Sequence, residues 1–260
     1  MTVALGMNGI GGVFVCADSH VVTQDGLVSS GYKLGGIECG NATFVIANAS
    51  EDGNAANMVA TEILNALAKS STDRLSIESA IKRTMEAWHS GYSHNKPPSM
   101  QFVLGTRVGQ QHRALYFCEP PNTVLRKHIE ETIAIGVGAQ IVEPLLPEVI
   151  RGPLLLREAL IRAAYLMYRA KKEHVFLKGS ETDVLVISQD TGDIHQMTRQ
   201  EMSEAEAIGP DVDFMLRYCY LGLLGQFPSA DQKDFLKSFR KKYLESKKKA
   251  DVIKFPSLLA

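Results

Sequence analysis

Apolar residues alternate with small or polar ones from the start of the chain. Val3, Leu5 and Met7 are separated by Ala4 and Gly6, with Thr2 before them, and Val13, Val15 and Ala17 interleave with Phe14, Cys16 and Asp18. A period of two predicts a pair of strands. Asn8, Gly9, Ile10, Gly11 and Gly12 lie between them and predict a tight reversal. A five-residue loop would set Met7 against Val13 and Thr2 against Asp18. A two-residue Asn8-Gly9 turn would set Thr2 against Val15. Either register brings the Thr2 hydroxyl and the Asp18 carboxylate into one neighbourhood.

Strand patterning continues over 26–34 and 40–47, with turns expected at Gln24-Asp25-Gly26 and Gly35-Gly36. The period then becomes helical. Ala56, Val59, Ile63, Ala66 and Leu67 share one face behind Ser50 or Asp52 as a cap, and Ile77, Ile81, Met85 and Trp88 share another behind Ser76. Strands return over 101–106, 113–118, 123–128 and 132–135. Two helical stretches follow Gly138, the longer over 154–172, and strands over 183–188 and 193–197 come next. Strands, two helices, strands, two helices, strands is the order of an α+β protein. It is met economically by a four-layer sandwich with two sheets inside and helices on both outer faces. Beyond Arg199 the texture changes to an apolar helix over 212–226 and a helix over 230–250 with a basic end. The expected division is therefore 1–199 as the main domain and 200–260 as a C-terminal helical extension.

Composition narrows the function without choosing it. A chain of 260 residues, 45% apolar, can bury a large core, and a formal charge of −1 offers no global attraction to nucleic acid or anionic membrane. The basic run at Arg240, Lys241, Lys242, Lys247, Lys248 and Lys249 reads as a solvated helix face or a docking surface for a partner. Cys16, Cys39, Cys118 and Cys219 form no CxxC pair and read as reduced thiols. No basic leader and no apolar run of about 20 residues is present, so a cytoplasmic protein without membrane contact is expected.

Several chemical signatures fail. The glycines at 6, 9, 11 and 12 are not followed by GK[ST], the seven histidines include no HExxH, and no GxSxG is present. No metal or other cofactor is expected. Thr2 remains. A threonine hydroxyl is a weak nucleophile without an adjacent base. Removal of Met1 would supply one on the same residue, an α-amino group that ordinarily titrates at about 7.7–8.0. Lys33 would lower that value through its charge, and Asp18 would keep Lys33 charged.

An N-terminal Thr followed by GVFVCADS at positions 12–19 and then by Lys33-Leu34 resembles proteasome β-subunits and their bacterial relatives, which are N-terminal-nucleophile hydrolases. Thr2 aligns with the family's nucleophile without a gap, and Lys33 aligns after one deletion. The element order follows the family through about Met197. The resemblance implies the N-terminal-nucleophile form of the αββα sandwich, a peptide or protein substrate, no cofactor and self-association into a ring. It assigns Thr2 as nucleophile and base, Asp18 and Lys33 as its tuning pair, and the backbone N–H of Asn48 as oxyanion donor, with Ser19 and Glu173 in support. Val137 stands where the family carries a serine. Glu173 and Gly179-Ser180 are the nearest counterparts of its Asp and Ser-Gly-Gly turn. Met1 alone precedes Thr2, as in the bacterial ATP-dependent peptidase rings, and its removal by methionine aminopeptidase is expected. An ATPase partner is not specified by these residues. Three functions follow: a threonine-type peptidase, a non-catalytic ring or scaffold subunit, and a small-molecule amidase.

Overall fold

The computed structural model describes residues 2–22, 28–92, 96–110, 112–127, 132–150, 152–223, 232–253 and 255. Met1, the expected Gln24-Asp25-Gly26 turn and the link between the last two helices lie outside the described residues. β1 (Ala4–Gly9) and β2 (Gly12–Asp18) form the opening hairpin, but in neither anticipated register. Ala4 faces Ala17, Met7 faces Phe14 and Gly9 faces Gly12. The turn is therefore Ile10-Gly11, with Gly11 at φ 104°, a conformation suited to glycine. A distant segment fixes it. The Ile10 N–H donates to the Leu154 carbonyl at 2.6 Å, and the Ile10 carbonyl accepts from the Leu156 N–H at 2.9 Å. A side chain on Gly9 would meet the Leu156 Cα at 2.7 Å. That glycine serves a close backbone approach.

A short pair, β3 (His20–Val22) and β4 (Val28–Ser30), precedes β5 (Leu34–Cys39) and β6 (Ala42–Ser50). Gly35 and Gly36 lie within β5 and not in a turn. A Cβ on Gly35 would press on Leu64 Cδ1 at 3.0 Å and one on Gly36 on Ile194 Cδ1 at 2.7 Å, so these glycines let the layers close. Asp52 caps α1 (Gly53–Ala68), and Asp73, not Ser76, caps α2 (Arg74–Ser90) by accepting from the Ser76 N–H. β7 (Met100–Val108), β8 (His112–Glu119), β9 (Thr123–Lys127) and β10 (Ile133–Ile135) follow. The two helical stretches expected after Gly138 become a run of short turns and one long helix. The short turns are α3 (Ala139–Val142), a 3-10 turn (Glu143–Leu145) and α4 (Leu146–Val149), and the long helix is α5 (Leu156–Glu173). The chain closes with β11 (Thr182–Ser188), β12 (Ile194–Met197), α6 (Arg199–Glu206), α7 (Gly209–Leu223) and α8 (Gln232–Val252).

Two antiparallel five-stranded sheets result, β10-β1-β2-β11-β12 and β5-β6-β7-β8-β9. Val13, Val15, Ala17, Val45, Ala47, Val103, Leu115 and Leu185 fill the space between them. The outer face of the second sheet is covered by α1 and α2 through Val59, Ile63, Ile81 and Met85. The outer face of the first is covered by α5 and α6 through Leu160, Ala163, Met167 and Met202. The architecture is the four-layer αββα sandwich. Burial on both faces explains why β2 and β6 carry apolar runs rather than a strict alternation. Ile253 and Phe255 join the same outer cluster, which brings the end of α8 back onto α5. No helix among the described residues is long and apolar enough to cross a membrane.

Candidate active site

Thr2 lies immediately before β1 and Asp18 ends β2. The hairpin register makes Val3 and Asp18 neighbours: the Asp18 N–H donates to the Val3 carbonyl at 3.1 Å. The return bond goes to the side chain, because the Val3 N–H donates to Asp18 Oδ1 at 2.8 Å. The other carboxylate oxygen accepts from the His20 N–H and from Lys33 Nζ, each at 3.0 Å. Lys33 Nζ also donates to Thr2 Oγ1 at 2.8 Å. Thr2 is 4% exposed, Asp18 0% and Lys33 4%. The three residues singled out from the sequence thus meet in one buried cluster.

Lys33 enters from the opposite sheet, at the mouth of β5, and is held there by its own backbone. Its carbonyl accepts from the Asn48 N–H at 3.1 Å and from Asn48 Nδ2 at 3.2 Å. Asn48 Nδ2 also reaches Asn57 Oδ1 at 2.8 Å, and Asn57 Nδ2 donates to the Tyr32 carbonyl at 3.1 Å. The Asn48 amide is therefore already turned onto Lys33, because the β5–β6 ladder extends one step past Leu34 and Ala47. Asn48 buttresses the lysine from behind.

On the other side the loop 136–138 grips the Thr2 backbone. The Gly138 N–H donates to the Thr2 carbonyl at 3.2 Å, and the Gly136 N–H donates to Gln101 Oε1 at 3.0 Å. Gly136 sits at φ 83°, and a Cβ there would lie 2.2 Å from the Thr2 carbonyl oxygen. Val137, between them, is exposed.

Burial holds the Lys33 ammonium below the ordinary lysine value, and the adjacent Asp18 carboxylate opposes that shift. A buried ion pair is a weak device for stability. Set against a hydroxyl, the same pair can polarise that hydroxyl and bias the charge of any amine on the same residue.

The supporting residues divide. Ser19 belongs to the frame: its N–H donates to the Glu181 carbonyl at 2.9 Å and its Oγ accepts from the Glu181 N–H at 3.0 Å. Glu173 does not join the cluster. It ends α5 in an i,i+4 ion pair with Arg169, at 2.5 Å and 45% exposed, because helical geometry favours that neighbour. Ser180 likewise bonds its own turn, donating to the Leu177 carbonyl at 2.8 Å. Asn57 and Gln101 were not anticipated as parts of the site; the loop 136–138 was placed near Thr2 by the resemblance, but the backbone grip of Gly136 and Gly138 was not. The paired glycines around Val137 were the one local signal for that loop, and nothing near Asn57 or Gln101 in the chain marks them.

No protein-family model matches the sequence, and no curated protein matches it. Solved structures match over most of the chain. A Gly-1 mutant of Anbu from Hyphomicrobium sp. strain MC1 is 16% identical with a TM-score of 0.70, covering 85% of this chain and 96% of its own. Anbu from Yersinia bercovieri, described as an ancestral β-subunit, is 14% identical with a TM-score of 0.69, over 87% of this chain and 98% of its own. The Anbu complex from Pseudomonas aeruginosa, solved as a helical assembly, is 16% identical with a TM-score of 0.69, over 87% of this chain and 97% of its own. At these identities the likeness is one of fold.

Proposed function

We propose that this protein is a threonine-type N-terminal-nucleophile hydrolase of peptide or other amide bonds, working in a self-assembled particle of proteasome-like subunits. The observation that carries the reading is Lys33 Nζ bridging Thr2 Oγ1 at 2.8 Å and Asp18 Oδ2 at 3.0 Å in a buried site. Removal of Met1 frees the Thr2 amine. That amine takes the hydroxyl proton as Oγ1 attacks the scissile carbonyl, and a C–O bond forms. The Asn48 N–H, expected from the resemblance to meet the resulting oxyanion, donates to the Lys33 carbonyl at 3.1 Å and would have to share or leave that bond to do so. The C–N bond then breaks, and the amine's proton leaves with the departing nitrogen. Water, activated by the same amine, hydrolyses the ester and restores Thr2.

A second reading, a scaffold subunit without turnover, is favoured by Val137: the loop over Thr2 contributes backbone groups to it, and valine adds no hydroxyl. A third, amide hydrolysis on small molecules, uses the same steps. Intact-mass analysis with a threonine-directed electrophile tests the first reading. Loss of Met1 and one adduct on wild type, none on Thr2→Ala, together with peptide hydrolysis that disappears in Thr2→Ala, is the expected result. Retention of Met1, or equal hydrolysis by both proteins, overturns it. A panel of peptides and small amides separates the first and third readings.

A further inference from the structure

On the outer face of the second sheet, remote from Thr2 in the fold, a groove of about 220 Å³ opens between the start of α2 and the strands β7, β8 and β9. Its floor is apolar, formed by Ile77, Val108 and Ala114. Tyr116 and Arg126 stand directly opposite one another on β8 and β9, so both side chains project from the same face. His112 lies on that face too, four residues before Tyr116 on β8.

The unusual member is Tyr116. It is 2% exposed, lines the groove, and no hydrogen bond joins its hydroxyl to another described residue. Burial pushes this hydroxyl above its ordinary pKa; Arg126 opposes that shift, Glu78 adds to it and Arg74 opposes it. Asp73, which lines the groove, and the nearby Glu78 are already engaged. Asp73 caps α2, accepting from the Ser76 N–H at 3.0 Å and from the Ser71 hydroxyl, and Glu78 holds Arg74 Nε at 2.7 Å. Arg126 has no ion pair with any described residue. The groove therefore offers a guanidinium fork and a phenolic O–H above an apolar floor.

We propose that this groove binds a small monocarboxylate with an apolar body, such as an aromatic or branched aliphatic acid. The carboxylate takes two parallel N–H donors from Arg126 and the O–H of Tyr116, and the body lies on Ile77, Val108 and Ala114. Of the cations that line the groove, Arg74 is held by Glu78 and Arg113 by the Gly9 and Gly12 carbonyls, which leaves the Arg126 guanidinium for one carboxylate.

Benzoate is the probe. Titrated into the full chain and followed by calorimetry and by amide NMR shifts, it binds saturably and perturbs residues of β8, β9 and the start of α2. Benzamide, isosteric and uncharged, binds at least about tenfold more weakly, as expected when a charge-assisted pair is lost. Arg126→Gln and Tyr116→Phe each weaken benzoate by about tenfold with unchanged circular dichroism, and Thr2→Ala binds it as wild type does. The assignment is overturned by benzamide binding as well as benzoate, by wild-type affinity in Arg126→Gln, by an absence of saturable binding at millimolar benzoate, or by inorganic phosphate binding more tightly than benzoate.

Discussion

At Lys33 two forces oppose one another. Burial disfavours its charge and Asp18 favours it, and the balance leaves the ammonium below its ordinary value. One of its donors is spent on Thr2 Oγ1 and another on Asp18. On the proposed function, a free Thr2 amine beside this cation is expected below the ordinary α-amino value of about 7.7–8.0, because a second positive charge there is repelled. The expected sign follows. Electrophile labelling of Thr2 rises with pH as that amine loses its proton, and its midpoint lies below that ordinary value in wild type. Lys33→Met removes the cation, moves the midpoint up toward about 8 and lowers the plateau rate by about 100-fold or more. The pH dependence of adduct formation, read by intact mass, checks both. An unchanged midpoint in Lys33→Met removes the tuning role from Lys33.

At the scale of elements, the loop 136–138 decides whether Thr2 is held. Gly136→Ala places a methyl on the Thr2 carbonyl and puts a non-glycine residue at φ 83°. The loop must then withdraw, at a cost of about 1–3 kcal/mol in urea denaturation, and labelling of Thr2 falls with it. The existence of the hairpin and of most strands was legible from periodicity, whereas the grouping of Thr2, Asp18 and Lys33 came from their spacing and from the resemblance. The hairpin register was not, because Ile10 is bonded by Leu154 and Leu156, far along the chain. Gly35 and Gly36 read as a turn because a glycine pair looks the same whether it bends the chain or makes room for Leu64 and Ile194. Glu173 was drawn toward the site by alignment alone, whereas its helix supplied Arg169 one turn earlier.

For the whole molecule, the segment after Arg199 is tied into the same framework as the site. Glu206 of α6 accepts both from Lys171 Nζ, at 2.8 and 2.9 Å, and from the Thr182 hydroxyl at 2.5 Å. Thr182 is the cross-strand partner of Asp18. Arg157 of α5 donates to the carbonyls of Ala250 and Ile253, and Lys249 pairs with Asp211 at 2.8 Å. Glu206→Gln or Lys171→Met alone is expected to cost about 3 kcal/mol, because each leaves a largely buried charge without its partner. The double variant costs less than the sum, and urea unfolding of the four proteins measures the difference. The bond between Ser19 and Glu181 carries a different consequence, one of timing. Synthesis delivers Ser19 long before Glu181, so the strand that ends in Asp18 is made well before the partner that frames it. On the proposed function, labelling of Thr2 is expected only once β11 has been made and paired with β2.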